Sequence, residues 1–279
     1  MANIILSAFA DEYAENFKEQ LEGMSSLGIG YIELRGVNGK NVSTLSRDEV
    51  KEAKNMLDCY GIKVSSIGSP VGKVQLDSDL DAHLDMTKRI LETANELQSD
   101  YVRMFSFYAP EGQRITECKD KVFSELARLS DAAAAAGVTL CHENEARIYG
   151  DVPERCNEIL CAFDNIKCVF DMGNFALDGI APYPAYELYK DKIAYFHIKD
   201  ALAAGAIVPP GCGEAEIAKI LKEHKAYATS DFFISLEPHL QLFSGLNKLA
   251  HVRFENPYKY NSMPEAFVDA YNRLKELIS

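Results

Sequence analysis

The sequence has no tryptophan, no Cys-x-x-Cys pair and no long apolar run. Its seven cysteines are scattered, which argues against a disulfide framework or a zinc motif and favours a reduced, cytoplasmic protein. No stretch approaches the roughly 18 apolar residues that span a bilayer, and the first residues lack the basic region and cleavage site of a secretory signal. We therefore expect a cytoplasmic protein without membrane contact.

Basic residues are also few compared with acidic ones. The chain has 29 Lys and Arg against 42 Asp and Glu, a formal net charge of -13 at pH 7. An acidic surface repels a polyanion, so nucleic acid is not an expected partner. The remaining composition is ordinary, since 47% of the 279 residues are hydrophobic and 25% are charged. These values exclude disordered, collagen-like and coiled-coil proteins.

Short β-rich runs alternate with amphipathic helical stretches along the whole chain. Each strand–helix unit takes about 35 residues, as in a closed (β/α)8 barrel, and the first run lacks the Gly-rich turn of a dinucleotide-binding sheet. We therefore predict a single (β/α)8 TIM barrel as one domain over residues 1–279. The eight predicted strands are Ile4–Phe9, Tyr31–Arg35, Lys63–Ile67, Tyr101–Phe107, Val138–Glu143, Lys167–Asp171, Ala194–Ile198 and Phe232–Glu237.

Helix boundaries and loops carry their own signals. Ser46 with Glu49 predicts a capping box, and proline begins two helices, at Pro153 and Pro264. Glycine follows three predicted helix ends, at Gly28, Gly61 and Gly137. We expect two long loops on the carboxyl-terminal face, Gly205–Gly213 and Leu240–Met263, the second as a lid or as the contact of a homo-oligomer.

Polar residues gather at the carboxyl ends of the predicted strands, where barrel loops build active sites. Side chains alternate between the two faces of a strand. Apolar residues such as Phe170 and Phe196 suit the outer face, so the residues next to them point to the inner face. The inner faces of the fifth to eighth strands then receive several polar groups. Four of these, one from each strand, converge on one rim of the barrel: Glu143, Asp171, His197 and Glu237.

Three carboxylates and one imidazole at the same depth favour a metal site. Like charges close together oppose one another's ionisation, and a divalent cation removes that cost. Mainly oxygen donors suit Mn²⁺ or Mg²⁺, and Co²⁺ or Zn²⁺ also fit. We predict one divalent ion, with Mn²⁺ preferred. The alternative is a set of separate ion pairs with Arg35, Arg103 and Lys199. Ion pairing readily explains one carboxylate at a strand end, but less readily four polar residues at the same depth on consecutive strands.

Four short motifs follow these strands: His-Glu-Asn-Glu at 142–145, Phe-Asp-Met-Gly-Asn at 170–174, His-Ile-Lys-Asp at 197–200 and Leu-Glu-Pro-His at 236–239. They resemble the xylose isomerase-like TIM-barrel superfamily, which includes tagatose and psicose 3-epimerases, hydroxypyruvate isomerase and enzymes of inositol breakdown. The resemblance covers nearly the whole chain. It implies a metal-ligand role for the same four residues and an acid/base role for Glu143 and Glu237. Many of these epimerases have a substrate-holding histidine where this chain has Asn174.

These roles describe proton transfer beside a carbonyl. One glutamate removes a proton and the other returns one, through an enediolate held by the metal. We therefore expect a divalent-metal-dependent sugar isomerase or epimerase that acts on a small ketose or related polyol-derived ketone. Six further residues are expected to contact the substrate or support a ligand: Arg103, Asn174, Lys199, Glu145, His239 and Glu33.

Three other functions use the same barrel. A dehydratase or lyase of sugar, inositol or glycoside breakdown shares the proton abstraction and differs in the fate of the enediolate. An endonuclease IV-like DNA-repair enzyme needs more His and carboxylate ligands and a basic face, which the sequence lacks. A non-catalytic sugar-binding barrel does not need two glutamates on one metal.

Overall fold

Eight parallel strands form the centre of the computed structural model, which describes residues 2–203, 205–241 and 258–279. The strands are β1 (Ile4–Ala8), β2 (Tyr31–Leu34), β3 (Lys63–Val71), β4 (Tyr101–Met104), β5 (Thr139–Glu143), β6 (Ile166–Asp171), β7 (Ile193–Ile198) and β8 (Phe232–Leu236). Neighbours are hydrogen-bonded in the order β1-β8-β7-β6-β5-β4-β3-β2, and β1 lies beside β2. The predicted (β/α)8 barrel is confirmed.

Helices connect the strands and cover them from outside. The α-helices of the described residues are α1 (Phe17–Ser26), α2 (Arg47–Tyr60), α3 (Leu80–Glu96), α4 (Lys119–Ala136), α5 (Pro153–Ala162), α6 (Met172–Leu177), α7 (Pro182–Tyr189), α8 (Ile217–Tyr227) and α9 (Met263–Ile278). Ser46 and Glu49 form the predicted capping box at the start of α2, and Pro153 begins α5. Gly61 and Gly137 end α2 and α4 in the left-handed conformation, as predicted.

The layer between strands and helices is apolar and rich in aromatic rings. Phe170 of β6 packs on Tyr186 and Tyr189 of α7, and Phe196 of β7 packs on His224 of α8. Because side chains alternate along a strand, the neighbours of Phe170 and Phe196 point into the barrel. This packing therefore determines which polar residues reach the interior.

The interior below the polar end of the barrel is also filled. Cys141, Val169 and Tyr195 form a small buried cluster there. The Tyr195 hydroxyl lies 2.9 Å from Ser66 Oγ and donates to Glu33 Oε1 at 3.0 Å. These contacts join strands across the barrel and close its interior beneath the site.

The segment after β7 differs from the sequence prediction. The sequence predicts a loop over Gly205–Gly213. In the structure, Ala206–Val208 pairs with Asp200–Leu202 as an antiparallel hairpin. Each strand has only three residues, so the pairing leaves no periodic pattern in the sequence. Of the predicted lid Leu240–Met263, residues 242–257 lie outside the described residues.

Asp200 fixes the rest of that loop. Its carboxylate accepts hydrogen bonds from the backbone N–H groups of Ala201, Gly211, Gly213 and Ala215, at 2.8 to 3.0 Å. The loop is therefore folded around one side chain directly beside the end of β7. Within the described part of the chain, no helix is both long enough and apolar enough to cross a bilayer.

His224 makes the stability of the fold sensitive to acid. It lies among Phe196, Phe232 and Tyr186, and burial lowers its pKa to about 4. The unfolded chain takes up this proton near pH 6.5, so folded stability is lost as pH falls from there towards 4. We expect His224→Phe to remove on the order of 1 kcal/mol of the stability lost between pH 7 and pH 5.5. Urea unfolding at both pH values measures this difference.

The neighbouring substitution Tyr227→Phe is the control for that experiment. It changes the same aromatic cluster by one hydroxyl group and keeps the imidazole of His224. It should leave the pH dependence of the wild type unchanged. A His224→Phe variant with the full wild-type pH dependence would show that His224 is not responsible.

Candidate metal and substrate site

Four polar residues meet at the carboxyl end of the barrel. Glu143 ends β5, Asp171 ends β6, His197 lies one residue before the end of β7, and Glu237 directly follows β8. One donor atom from each lies within 4.8 Å of all the others, and all four side chains are buried. The structure therefore brings together the four residues that strand alternation selects.

His197 Nδ1 faces the three carboxylates. It lies 3.4 Å from Glu143 Oε1, 3.5 Å from Glu237 Oε2 and 3.8 Å from Asp171 Oδ2. A divalent ion about 2.0–2.2 Å from its donors holds neighbouring donors about 3–3.5 Å apart. Among the described residues, His197 Nδ1 and Asp171 Oδ2, which face each other across the site, are buried without a hydrogen-bond partner. The spacing, the donor types and these orphaned atoms fit one divalent cation.

Glu33 orients the imidazole from behind. Its Oε2 lies 3.0 Å from His197 Nε2, and its Oε1 accepts the hydroxyl of Tyr195. A carboxylate that accepts a hydrogen bond from one imidazole nitrogen leaves the other nitrogen available to bind a metal. Glu33 is 1% exposed and bridges His197 and the Tyr195 hydroxyl in the filled interior of the barrel.

Asp171 is fixed by the start of α6. Its Oδ1 accepts the backbone N–H of Asn174 at 2.8 Å, which leaves Oδ2 facing the site. The side chain of Asn144 bonds both the N–H and the C=O of Asp171, at 3.0 and 2.8 Å. A Cβ at Gly173 would lie 2.6 Å from the carbonyl oxygen of Lys199. Close backbone packing, which needs glycine there, thus holds the start of α6 against the residue that follows β7.

Glu143 is held by an amide and a guanidinium. Asn174 Nδ2 donates to Glu143 Oε1 at 3.1 Å. Arg103 Nη1 lies 3.2 Å from Glu143 Oε2 and 3.7 Å from Glu237 Oε1. Asn174 and Arg103, which the sequence suggests as substrate contacts, therefore contact the glutamates in this structure.

Glu237 faces two more cations. Arg35 Nη1 donates to its Oε1 at 2.8 Å, and Lys199 Nζ lies 3.3 Å from its Oε2. Lys199 Nζ also lies 2.7 Å from Asp171 Oδ2. The predicted substrate residue Lys199 thus lies against two of the four candidate ligands.

The site predicted from the sequence omits a set of charged residues at the ends of β1 and β2. Arg35 bonds Asp11 at 2.9 Å and Glu12 at 3.0 Å, and Glu12 accepts the backbone N–H of His239 at 2.7 Å. His239 Nε2 lies 3.3 Å from Glu12 Oε1. Asp11 and Glu12 follow the first strand, and Arg35 lies two residues after Glu33. Those strand-end positions are the signal that could have identified them.

The ring of Phe9 contacts two arginines and His197. Arg35 Cζ is 4.3 Å and Arg103 Cζ is 5.2 Å from its centroid, and the ring centroids of Phe9 and His197 are 5.1 Å apart in a T-shaped contact. Cations are attracted to the faces of aromatic rings. Phe9 is fully buried, so it holds both guanidinium groups in place beside the two glutamates.

Glu145 lies at the rim of the site. Its Oε2 is 2.7 Å from Lys73 Nζ, which lies 4.4 Å from the centroid of Phe105. The sequence predicts a substrate or ligand-support role for Glu145, and the structure places it in this partly exposed ion pair. Glu145 and Lys73 therefore offer polar groups at the edge of the barrel mouth.

Burial and neighbouring charges shift the pKa values of the four residues in different directions. Burial, with help from Glu143 and Glu237, raises the pKa of Asp171 to about 6 against the effect of Lys199. Burial disfavours a charged His197, but the surrounding carboxylates outweigh it and raise its pKa to about 10. The pKa values of both glutamates are lowered despite burial because cations face them. The centre thus holds ionised carboxylates that attract positive charge.

The family of the chain is shown by a model that covers most of it. The model of the xylose isomerase-like TIM barrel matches residues 21–248, and the chain belongs to this family. The resemblance carried by the four motifs is thereby confirmed. No curated protein sequence matches the chain significantly.

Several solved structures share the fold over nearly their whole length. A D-tagatose 3-epimerase-like protein is 19% identical, with a TM-score of 0.74 over 98% of this chain and 96% of that one. The IOLI protein with a bound zinc atom is 20% identical, with a TM-score of 0.71 over 98% of both chains. The probable 3-DHS dehydratase AsbF of petrobactin synthesis from Bacillus anthracis is 15% identical, with a TM-score of 0.72 over 100% and 99%. These identities show a common fold and leave the reaction open.

The site predicts how metal affinity responds to substitution. We expect wild-type protein to bind about one Mn²⁺ per chain and Asp171→Ala to abolish binding, because an oxygen donor is lost. Glu33→Gln should weaken binding about 10- to 100-fold, because the imidazole loses the carboxylate that orients it. Isothermal titration calorimetry and metal analysis measure both effects.

Glu145→Gln is the matched control, since it removes a carboxylate from the rim and leaves the four-residue cluster intact. Its Mn²⁺ affinity should equal that of the wild type. Unchanged affinity in Asp171→Ala would contradict the assignment of the site.

Proposed function

We propose that this protein is a divalent-metal-dependent isomerase or epimerase of a small ketose or related polyol-derived ketone. The observation that carries the proposal is the arrangement of Glu143 and Glu237. Each has one oxygen near His197 Nδ1 and a second oxygen directed to an arginine. Two carboxylates around one cation site supply both partners of a proton transfer. Membership of the family and the epimerase-like neighbour support this reading.

The metal, for which we propose Mn²⁺, would be held by Glu143, Asp171, His197 and Glu237. When bound, such an ion polarises a substrate carbonyl and its neighbouring hydroxyl. Glu33 keeps the imidazole of His197 in position for this role. Because all four residues are buried, their geometry is set by the surrounding packing before any ligand arrives.

The two glutamates divide the proton transfer. Glu143 ends β5 and Glu237 follows β8, and two strands lie between them in the sheet, so they approach a substrate from different sides. Both have lowered pKa values and start as carboxylates. One accepts the proton from the carbon beside the carbonyl. The other takes a proton from a substrate hydroxyl or from water and donates it to carbon. The first glutamate then gives its proton to the oxygen left behind, so that both end as carboxylates.

Arg103 keeps these two carboxylates in a fixed relation. Its Nη1 lies between Glu143 Oε2 and Glu237 Oε1, at 3.2 and 3.7 Å. A guanidinium presents several donors in one rigid plane, so it can contact both groups at once. Lys199, on the other side of Glu237, adds a charge that suits a developing oxyanion on the substrate.

A dehydratase or lyase is the second candidate. The observation that favours it is the pair of buried cations, Arg103 and Lys199, next to the glutamates, because such groups stabilise a departing oxygen or a substrate carboxylate. A similar fold occurs in the probable 3-DHS dehydratase. Product analysis of Mn²⁺-loaded protein with ketoses, inosose-type ketones and glycosides separates the two reactions. An isomer indicates the first, and loss of water or cleavage indicates the second.

The two-glutamate mechanism makes a prediction for isosteric variants. Glutamine keeps the shape and one donor oxygen of glutamate but does not accept a proton near neutral pH. We expect Glu143→Gln and Glu237→Gln to keep the fold and much of the metal while turnover falls about 10²- to 10⁴-fold. Initial rates on the substrate identified by the panel measure the loss, and ²H₂O incorporation locates the blocked step.

The variant without the base should not exchange the substrate C–H with solvent. The variant without the acid should still exchange it while forming little product. Glu111→Gln, in the exposed segment that follows β4, provides the control for loss of an acidic residue on the same face. Near wild-type rates in both isosteric variants, with the metal still required, would rule out the two-glutamate mechanism.

A further inference from the structure

The ammonium group of Lys199 lies within the cluster of candidate metal ligands. Its Nζ is 2.7 Å from Asp171 Oδ2 and 3.3 Å from Glu237 Oε2. These are the oxygens that face His197 Nδ1, at 3.8 and 3.5 Å. Lys199 therefore contacts the atoms that a divalent ion would need, along the edge shared by Asp171 and Glu237.

The other two cations contact different atoms. Arg35 Nη1 donates to Glu237 Oε1, and Arg103 Nη1 lies nearest to Glu143 Oε2. Both oxygens belong to the outer side of the cluster, opposite those that approach His197 Nδ1. The arginines can therefore remain in place when a metal binds, whereas Lys199 shares its partners with the metal.

The backbone of Lys199 is held in place, whereas its ammonium ends a long side chain. The close approach of Gly173 to the Lys199 carbonyl holds the main chain against α6. The side chain carries a compact charge on a flexible four-carbon stem. Its Nζ donates one hydrogen bond to Glu237 Oε2 at 3.3 Å and pairs by charge with Asp171 Oδ2 at 2.7 Å. Rotation about the bonds of the stem can therefore withdraw the ammonium without a change in the backbone.

We propose that Lys199 is the internal counter-cation of the metal site. In the metal-free protein its ammonium neutralises Asp171 and Glu237, and it gives up these contacts when a divalent cation binds. The inference rests on the proposed function, in which the same residues bind the metal. Two cations cannot share these buried oxygens at low cost because their repulsion is strong where water is excluded.

Competition of this kind has two opposite effects. The ammonium lowers metal affinity because it must be displaced, and it stabilises the metal-free fold because it prevents unpaired buried carboxylates. Removing its charge should therefore strengthen metal binding and weaken the metal-free protein. A lysine with a merely structural role would not produce a gain in metal affinity.

The test compares Lys199→Met with the wild type by calorimetric titration of Mn²⁺ and by thermal unfolding. We expect Lys199→Met to bind Mn²⁺ at least about tenfold more tightly, since a neighbouring charge changes such equilibria by this order. The metal-free variant should unfold at a lower temperature, and Mn²⁺ should raise its Tm by more than it raises that of the wild type. Lys73→Met is the matched control, because it removes one positive charge from the rim. Its Mn²⁺ affinity should equal that of the wild type.

Lys199→Gln serves as a second variant if Lys199→Met does not fold without metal, because it keeps a hydrogen-bond donor without the charge. Equal or weaker Mn²⁺ binding by the variant than by the wild type would overturn the inference and leave the proposed function standing. Mn²⁺ binding by the variant, with none by the wild type, would support the inference most strongly. If neither protein binds Mn²⁺, the proposed function fails together with the inference.

Discussion

Six carboxylates come together around one end of this barrel, and the arrangement of the site depends on how their charge is compensated. They are Asp11, Glu12, Glu33, Glu143, Asp171 and Glu237. Three permanent cations, Arg35, Arg103 and Lys199, contact them. Negative charge remains in excess, and burial with the carboxylates of Glu237 and Asp11 raises the pKa of Glu12 to about 8 against the effect of Arg35. A buried charge without a partner is costly, so a further cation is favoured at the centre.

The same ion pairs bear on closure of the barrel. The hydrogen-bonded order of the strands begins at β1 and ends at β2, which lie side by side. Arg35, directly after β2, forms two hydrogen bonds to Asp11 after β1 and one to Glu237 after β8. Three strand ends are thereby joined across the seam by one guanidinium. Site and fold are coupled here, because a substitution at Arg35 would affect both the seam and a proposed proton-transfer residue.

The architecture and the four central residues could be predicted from the sequence because both depend on local periodicity. Strand spacing identified eight units, and alternation directed Glu143, Asp171, His197 and Glu237 inward. Strand ends were less predictable, as β3 continues to Val71 where the pattern predicts an end at Ile67. The partners of each side chain were not predictable, because they arise from distances across the barrel. Arg35 and Glu237, for example, are separated by 202 positions in the chain.

The loop around Asp200 has a consequence for how this chain can be altered. Four backbone N–H groups converge on the Asp200 carboxylate, and a Cβ at Gly213 would lie 2.2 Å from its Oδ1. Between Gly211 and Ala215 the chain therefore tolerates neither a larger residue at position 213 nor a change in length. A randomised library or a peptide tag inserted between Gly211 and Ala215 would therefore displace the Asp200 carboxylate and, through the backbone, the neighbouring Lys199 of the site.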